Sequence, residues 1–239
     1  MNYFPHTLLF LFALFLLFTF VVLLIELRIV RYVYEQVGVP ARFMLILLLL
    51  SFLGSYVNID VAQLSPERMY APGIVQFFGV PYVVPVPTES PGTIIALNVG
   101  GAIVPTLVSL YLIVKNRFYG KALVAIGVVT VVVHLLAHPV PGVGIGEPVF
   151  VPPLATAITA LVISRERAAP LAYVAGSLGT LIGADLLNLD KIAGLGAPIA
   201  SIGGAGKFDG IFMTGLVAVL LAGLVTPKRG PTGSNEAGY

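Results

Sequence analysis

The sequence predicts an all-α polytopic membrane protein of about seven spanning helices, and three observations carry that expectation. Hydrophobic residues make up 58% of the 239-residue chain and charged residues 10%, against about a quarter charged in an ordinary soluble domain. Mean hydropathy is +1.00. Charges and prolines cut the chain into apolar runs close to the roughly 20 residues that a helix needs to cross a bilayer. The net charge of +2 comes from Lys and Arg at the ends of those runs, without the basic stripe that tracks a phosphate backbone, so nucleic acid is not an expected partner. The absence of Cys excludes disulfides, thiolate metal sites, iron–sulfur clusters and a Cys nucleophile. Trp is absent too, which leaves Tyr and Phe for any interfacial aromatic belt.

The first run, residues 7–25, has no Lys or Arg ahead of it and no small-residue cleavage site. It outlasts the apolar core of about 7–15 residues in a signal peptide, so a retained anchor is expected. Residues 43–57 form a second run, short unless its flanks contribute. A third, 93–114, contains Asn98, Gly100, Gly101 and Pro105, small and polar residues that point to packing on protein rather than lipid. Runs at 122–138, 151–164, 168–188 and 210–226 complete the set, and the fifth spans only if Phe150 and its neighbours are immersed. The whole reads as one helical membrane domain, 1–229, with a disordered tail at 230–239 rich in Gly and polar residues. Within the outer loop 58–92, residues 73–85 read as two short β-rich runs around a turn, with prolines confining the second to an edge. A small outer β-hairpin is expected there, and an apolar loop pressed onto the membrane surface is the competing expectation.

Orientation follows from the cations, since Lys and Arg in short loops stay on the cytoplasmic side. Arg28, Arg31 and Arg42 follow the first run, Lys115, Arg117 and Lys121 join the third and fourth, Arg165 and Arg167 join the fifth and sixth, and Lys228 and Arg229 follow the seventh. The N-terminus is then outside and the C-terminus inside, as in a multi-pass protein of the cell membrane surrounded by lipid. Asn58, Asp60, Asn98, His134, His138, Glu147, Asp185, Asn188 and Asp209 all fall toward the outer face. Asp60, Glu147 and Asp190 read as exposed loop acids. His134 and Asp185 lie about one turn inside their helices, where a mid-depth charge costs about 2.5–3.5 kcal/mol.

Asp185 ends a helix whose Gly176, Gly179 and Gly183 permit close approach of a neighbour, and Asp209 opens the next helix after Gly203-Gly204-Ala205-Gly206. Consecutive membrane helices run antiparallel, so the two carboxylates are expected to meet at one face. Two carboxylates in a poorly hydrated pocket hold one proton between them. That is the working state of an aspartic protease, in which one acid activates water and the other polarises the scissile carbonyl. Gly204, Ala205 and Gly206 would supply backbone for substrate approach. The same state serves proton-coupled transport, and the plainer alternatives are an N-cap for Asp209 and a helix-end carboxylate reaching interfacial water for Asp185.

A divalent-metal site is the rival. His134 and His138, four apart, fall on one face of a continuous helix, and Glu147, Asp185 and Asp209 supply oxygens for zinc, manganese or iron; the plainer alternative is that His138 begins an exposed turn before Pro139 while His134 bonds the backbone of a neighbouring helix. Leu135 stands where an H-E-x-x-H enzyme carries its catalytic Glu, which disfavours hydrolysis of that type. The protease reading requires no cofactor. The Gly- and Pro-rich segments 139–153 and 194–200 are either loops or re-entrant backbone lining a cavity. No Gly-rich stretch ends in Lys-Ser/Thr, so a nucleotide is not expected.

The strings Gly54-Ser55-Tyr56-Val57-Asn58-Ile59, Pro139-Val140-Pro141-Gly142-Val143-Gly144-Ile145, Leu178-Gly179-Thr180-Leu181-Ile182-Gly183-Ala184-Asp185-Leu186-Leu187 and Ser201-Ile202-Gly203-Gly204-Ala205-Gly206-Lys207-Phe208-Asp209-Gly210-Ile211-Phe212 resemble a bacterial and archaeal membrane family, domain of unknown function 1614. That resemblance covers most of the chain and implies no activity. Gly204-Ala205-Gly206 leading to Asp209 and Gly210-Ile211-Phe212 is also similar to the Gly-x-Gly-Asp signature of presenilin and signal-peptide-peptidase-type intramembrane proteases. This second resemblance implies Asp185 and Asp209 as a catalytic dyad and a transmembrane helix as substrate. The chain departs from the pattern in placing Lys207 and Phe208 before the acid, Ala184 where those proteases carry Tyr, and Pro153-Leu154-Ala155 upstream in place of a downstream Pro-Ala-Leu. The expected functions are thus an intramembrane aspartic hydrolase, then a metal- or proton-coupled transporter or binding protein, then a non-catalytic membrane assembly subunit.

Overall fold

The computed structural model describes residues 6–65, 68–89, 92–140, 144–192, 197–204 and 210–225. Helix α1 (His6–Val37) runs unbroken to Gly38, whose φ of +88° lies in the left-handed region that glycine enters without strain. Helix α2 (Ala41–Gly54) follows Pro40. Phe12, Leu17 and Phe18 of α1 and Leu49, Phe52 and Leu53 of α2 point outward, an apolar exterior that suits hydrocarbon and not water. Three described stretches are long and apolar enough to cross a membrane: Val99–Asn116, containing α3 (Val104–Asn116); Tyr119–Leu136, which is α4; and Arg165–Lys191, containing α6 (Ala168–Thr180). Helix α5 (Val151–Ile163) is a shorter apolar helix, and α7 (Gly210–Val225) contains another at Thr214–Gly223.

Helix α6 is the hub of the bundle. Most of its residues are small, and nearly all are buried. A Cβ on Gly176 would lie 3.3 Å from Gly215 of α7, and one on Gly179 would lie 2.7 Å from Val129 of α4. These glycines bring the backbones together as the sequence suggested, and association without a hydrophobic driving force depends on such packing. Around them Val33, Leu112, Val129, Val133, Leu171, Val174 and Val219 form the core.

The basic turns gather at one end of the bundle. Lys115 at the end of α3 donates to the carbonyl of Gly38 between α1 and α2. Arg167 before α6 donates to the Asn116 carbonyl, and Lys121 of α4 reaches Ser164 after α5. The alternation of charged turns read from the sequence is therefore an alternation of helix ends.

The opposite end holds more β structure than expected. The expected hairpin is present as β2 (Arg68–Phe77) and β3 (Val80–Glu89), joined at Phe78-Gly79, both at positive φ as a two-residue type I′ connection requires. Three strands also build a sheet in the order β1-β4-β7, from β1 (Asn58–Gln63), β4 (Ile94–Asn98) and β7 (Ile199–Ile202), with β1–β4 antiparallel and β4–β7 parallel. The expected third span therefore starts late. Residues 94–98 are ladder and not helix, because β1 and β7 offer backbone partners to a β-branched run. The fourth expected span ends early: α4 stops at Leu136, and His138 opens β5 (His138–Val140), paired with β6 (Gly144–Gly146). Pro139 disfavours helical backbone at the residue before it. His134 and His138 consequently do not share a helical face.

Asn98 ties sheet to bundle. Its Oδ1 accepts from Gly101 N at 2.8 Å, while its Nδ2 donates to Ser55 O at 2.8 Å and to Asn58 Oδ1 at 3.0 Å. Asn98 is 2% exposed, and Asn98→Ala leaves the buried Gly101 amide without its acceptor and removes both Nδ2 bonds. A loss of about 2–3 kcal/mol is expected. Thermal unfolding in detergent measures it, and an unshifted transition contradicts the assignment.

Candidate acid site at the strand-bearing end

Asp185 closes a π-helical turn, Leu181–Asp185, that extends α6, and a 3-10 turn, Leu186–Lys191, follows. A wider turn of this kind frees backbone carbonyls at the helix end. The buried Asn188 amide takes two of them, donating to Gly183 O and Ala184 O at 2.9 Å each, and its Oδ1 accepts from Lys191 Nζ at 2.7 Å. The turn packs against α4, where a Cβ on Gly183 would lie 2.6 Å from Thr130 O and 3.2 Å from His134 N.

The Asp185 carboxylate is held from across the site. Gly203 N donates to its Oδ2 at 2.7 Å, immediately after β7 ends. Gly203 has φ +76° and its hydrogen faces Ala102, whose N and Cβ would each lie 2.6 Å from an added Cβ, so only glycine delivers that amide. Gly204 bonds back to the Ser201 carbonyl, and Asn98 and Ser201 side chains occupy the space a side chain there would need. On the other flank of the 205–209 segment, Ile211 of α7 is buried in a small cluster with Ala102, Leu181 and Ile202. Both described flanks of that segment thus lie at the turn that carries Asp185. Asp209, Ala205 and Gly206 themselves lie outside the described residues.

Glu147 is the residue whose surroundings the sequence misjudged. Read mainly as an exposed loop acid and, in the metal reading, as a ligand beside Asp185, it is half-buried between β6 and α5, and its Oε2 is enclosed with no hydrogen-bond partner. Burial first, and then the charge of Asp185, raise its carboxyl to about 7. The signal available in the sequence was Gly146, where a Cβ would sit 2.9 Å from Val140 in the β5–β6 pair. A glycine needed for tight pairing places the next residue against the bundle. Asp60 and Asp190 are exposed, as loop acids should be. His134 Nδ1 is buried without a partner, whereas His138 is exposed with Nδ1 3.3 Å from Leu136 O. Among the described residues no three His, Cys, Asp or Glu side chains are placed to hold a metal ion.

The Glu147 environment has a measurable consequence. The folded carboxyl keeps its proton up to about 7 while an unperturbed one loses it near 4.5. This contribution to stability is therefore complete below the unfolded value, is lost as pH rises between the two, and is level above both. Glu147→Gln is expected to remove that slope in unfolding transitions measured across about pH 4 to 8. A slope unchanged by the substitution contradicts the enclosed position of the side chain.

Apolar helices around a small-residue hub, with a carboxylate held at the strand-bearing end, define a mostly helical protein of the kind a membrane accommodates. A family model described as a protein of unknown function (DUF1614) matches residues 52–221, and the chain belongs to that family. The match takes in β1 through most of α7, and so Glu147, Asp185 and Gly203. No curated protein and no solved structure matches the chain.

Proposed function

We propose that this protein is an intramembrane hydrolase of the paired-aspartate type, in which Asp185 and Asp209 share a proton and cleave a peptide bond of an unwound membrane helix. In this proposal seven helices span the cell membrane, with the N-terminus outside, the C-terminus inside and the site beneath the outer face. One observation carries the proposal: the Gly203 amide holds Asp185, and the chain then has only residues 204–208 before Asp209. Ile211, two residues after Asp209, packs with Leu181 of the turn that carries Asp185 and with Ile202 beside Gly203, which supports a meeting of the two acids.

In this proposal Asp185, held in place by the Gly203 amide, takes the proton from water. Asp209 holds the shared proton and gives it to the carbonyl oxygen as the water oxygen adds to the carbonyl carbon; Asp185 then passes its proton to the amide nitrogen as the C–N bond breaks, and Asp209 takes a proton back from the hydroxyl as the carboxylic acid forms. Strand β7 is an edge of its sheet and ends at Ile202, just before Gly203, so an extended substrate paired along it would deliver a carbonyl toward Asp185. Purified protein in vesicles is expected to cleave a membrane-helix reporter in mildly acidic to neutral buffer without added metal. Intact reporter throughout that range contradicts the proposal.

A second reading rests on Glu147 and His134. Their enclosed, unpartnered atoms near Asp185 also suit a proton- or metal-coupled carrier, with Glu147 exchanging the proton or binding the cation. Uptake of protons or divalent metal by vesicles containing the protein, with no reporter cleavage, would favour it.

A further inference from the structure

At the basic end, α2 and α3 enclose an apolar cleft of about 320 Å³ lined by Val39, Pro40, Phe43, Leu47, Leu107 and Tyr111. The C-terminal end of α2 is pressed backbone to backbone on Gly100, and the cleft lies beside its N-terminal half. The volume falls at the lower end of the roughly 300–1,000 Å³ usual for small-ligand pockets. Two cations flank it, each over an aromatic ring of the lining. The Arg42 guanidinium is 4.9 Å from the centroid of Phe43, and Lys115 Nζ is 5.4 Å from that of Tyr111. Neither has a salt-bridge partner among the described residues. Lys115 also donates to Gly38 O, which fixes its position at the turn between α1 and α2.

We infer that this cleft binds one anionic glycerophospholipid, an acyl chain lying against Phe43, Leu47 and Leu107 and the phosphate meeting Arg42 and Lys115. An apolar slot between helices that opens under unpaired cations matches both halves of such a lipid, and basic pockets between membrane helices at the cytoplasmic side are suited to acidic headgroups. A zwitterionic lipid fits the slot equally well and gains nothing net from the cations. The inference rests on membrane placement and is independent of the proposed hydrolysis.

The test is native mass spectrometry of the full-length protein in detergent with added phosphatidylglycerol or phosphatidylcholine. One phosphatidylglycerol is expected to remain bound at voltages that strip phosphatidylcholine. Arg42→Gln combined with Lys115→Gln should weaken its retention on the order of tenfold. Leu107→Trp, at a site 60% exposed and so tolerant of size, should block the cleft with both charges intact. Glycerophosphoglycerol without acyl chains should not compete. Equal retention of the two lipids, or retention indifferent to both variants, overturns the inference. So does a lipid-independent dimer abolished by Leu107→Trp, which would mean that a second copy covers the cleft.

Discussion

Asp185→Asn is expected to lower reporter cleavage by about 10²–10⁴-fold, the contribution of a positioned acid or base, while the protein stays folded. The amide is isosteric and its oxygen still accepts from Gly203 N, so the hydrogen bond that anchors the turn survives. What disappears is the negative charge that draws a proton from water. Asp209→Asn should cost a similar factor by removing the other member, and the double variant should lose little more than either alone, since residues acting as a unit are not additive. Cleavage rates at saturating reporter, beside thermal unfolding to show that each variant is folded, supply the measurement. Retained cleavage by either variant removes the dyad.

The second large effect is structural. Gly100→Ala is expected to destabilise the protein by about 3 kcal/mol or more, at or beyond the usual cost of overpacking. Its added Cβ would lie 2.0 Å from Ser51 O and 2.4 Å from Ser55 N. Both are backbone atoms of the α2 end, so no side chain can turn aside and the helix itself has to move. That movement also breaks the Asn98 bond to Ser55 O and loosens the sheet that delivers Gly203. Gly127→Ala is the control, because nothing lies within 4 Å of its added Cβ. There the better helix propensity of Ala, about 0.8–1.0 kcal/mol, should leave stability equal or higher. Thermal unfolding of the two variants in the same detergent separates steric contact from the mere loss of a glycine; equal transitions contradict the close approach of α2 to Gly100.

The helices were legible because apolar runs and the cations at their ends report directly on spanning length and on shared ends. Gly176, Gly179 and Gly183 likewise announced α6 as a packing hub. The small sheet was not legible. Its three strands come from residues 58–63, 94–98 and 199–202, and pairing across such separations leaves no local period. Ile94 to Asn98 was absorbed into the following apolar run for that reason. The same blindness hid the Gly203 amide, which reaches Asp185 only once β7 has docked on β4. For His138 the sequence left two readings, a helical ligand four residues after His134 and the start of an exposed turn before Pro139, and its exposed place at the head of β5 agrees with the second. Glu147 was read mainly as an exposed loop acid, because an acid in a Gly- and Pro-rich connection ordinarily meets water, and only the metal reading set it beside Asp185. The pairing of β5 with β6 seats it against the bundle instead.

The central claim is that Asp185 and Asp209 converge. The chain contains no Cys, so Asp185→Cys combined with Asp209→Cys yields a protein with two thiols and no others. A short bis-methanethiosulfonate bridge applied to that protein in vesicles should join the pair within one molecule, read as a mass gain with no free thiol remaining. The control, Asp185→Cys with Lys121→Cys at the opposite end of the bundle, should leave each thiol modified separately. Failure of the first pair to bridge under conditions that label both thiols fully would contradict the account.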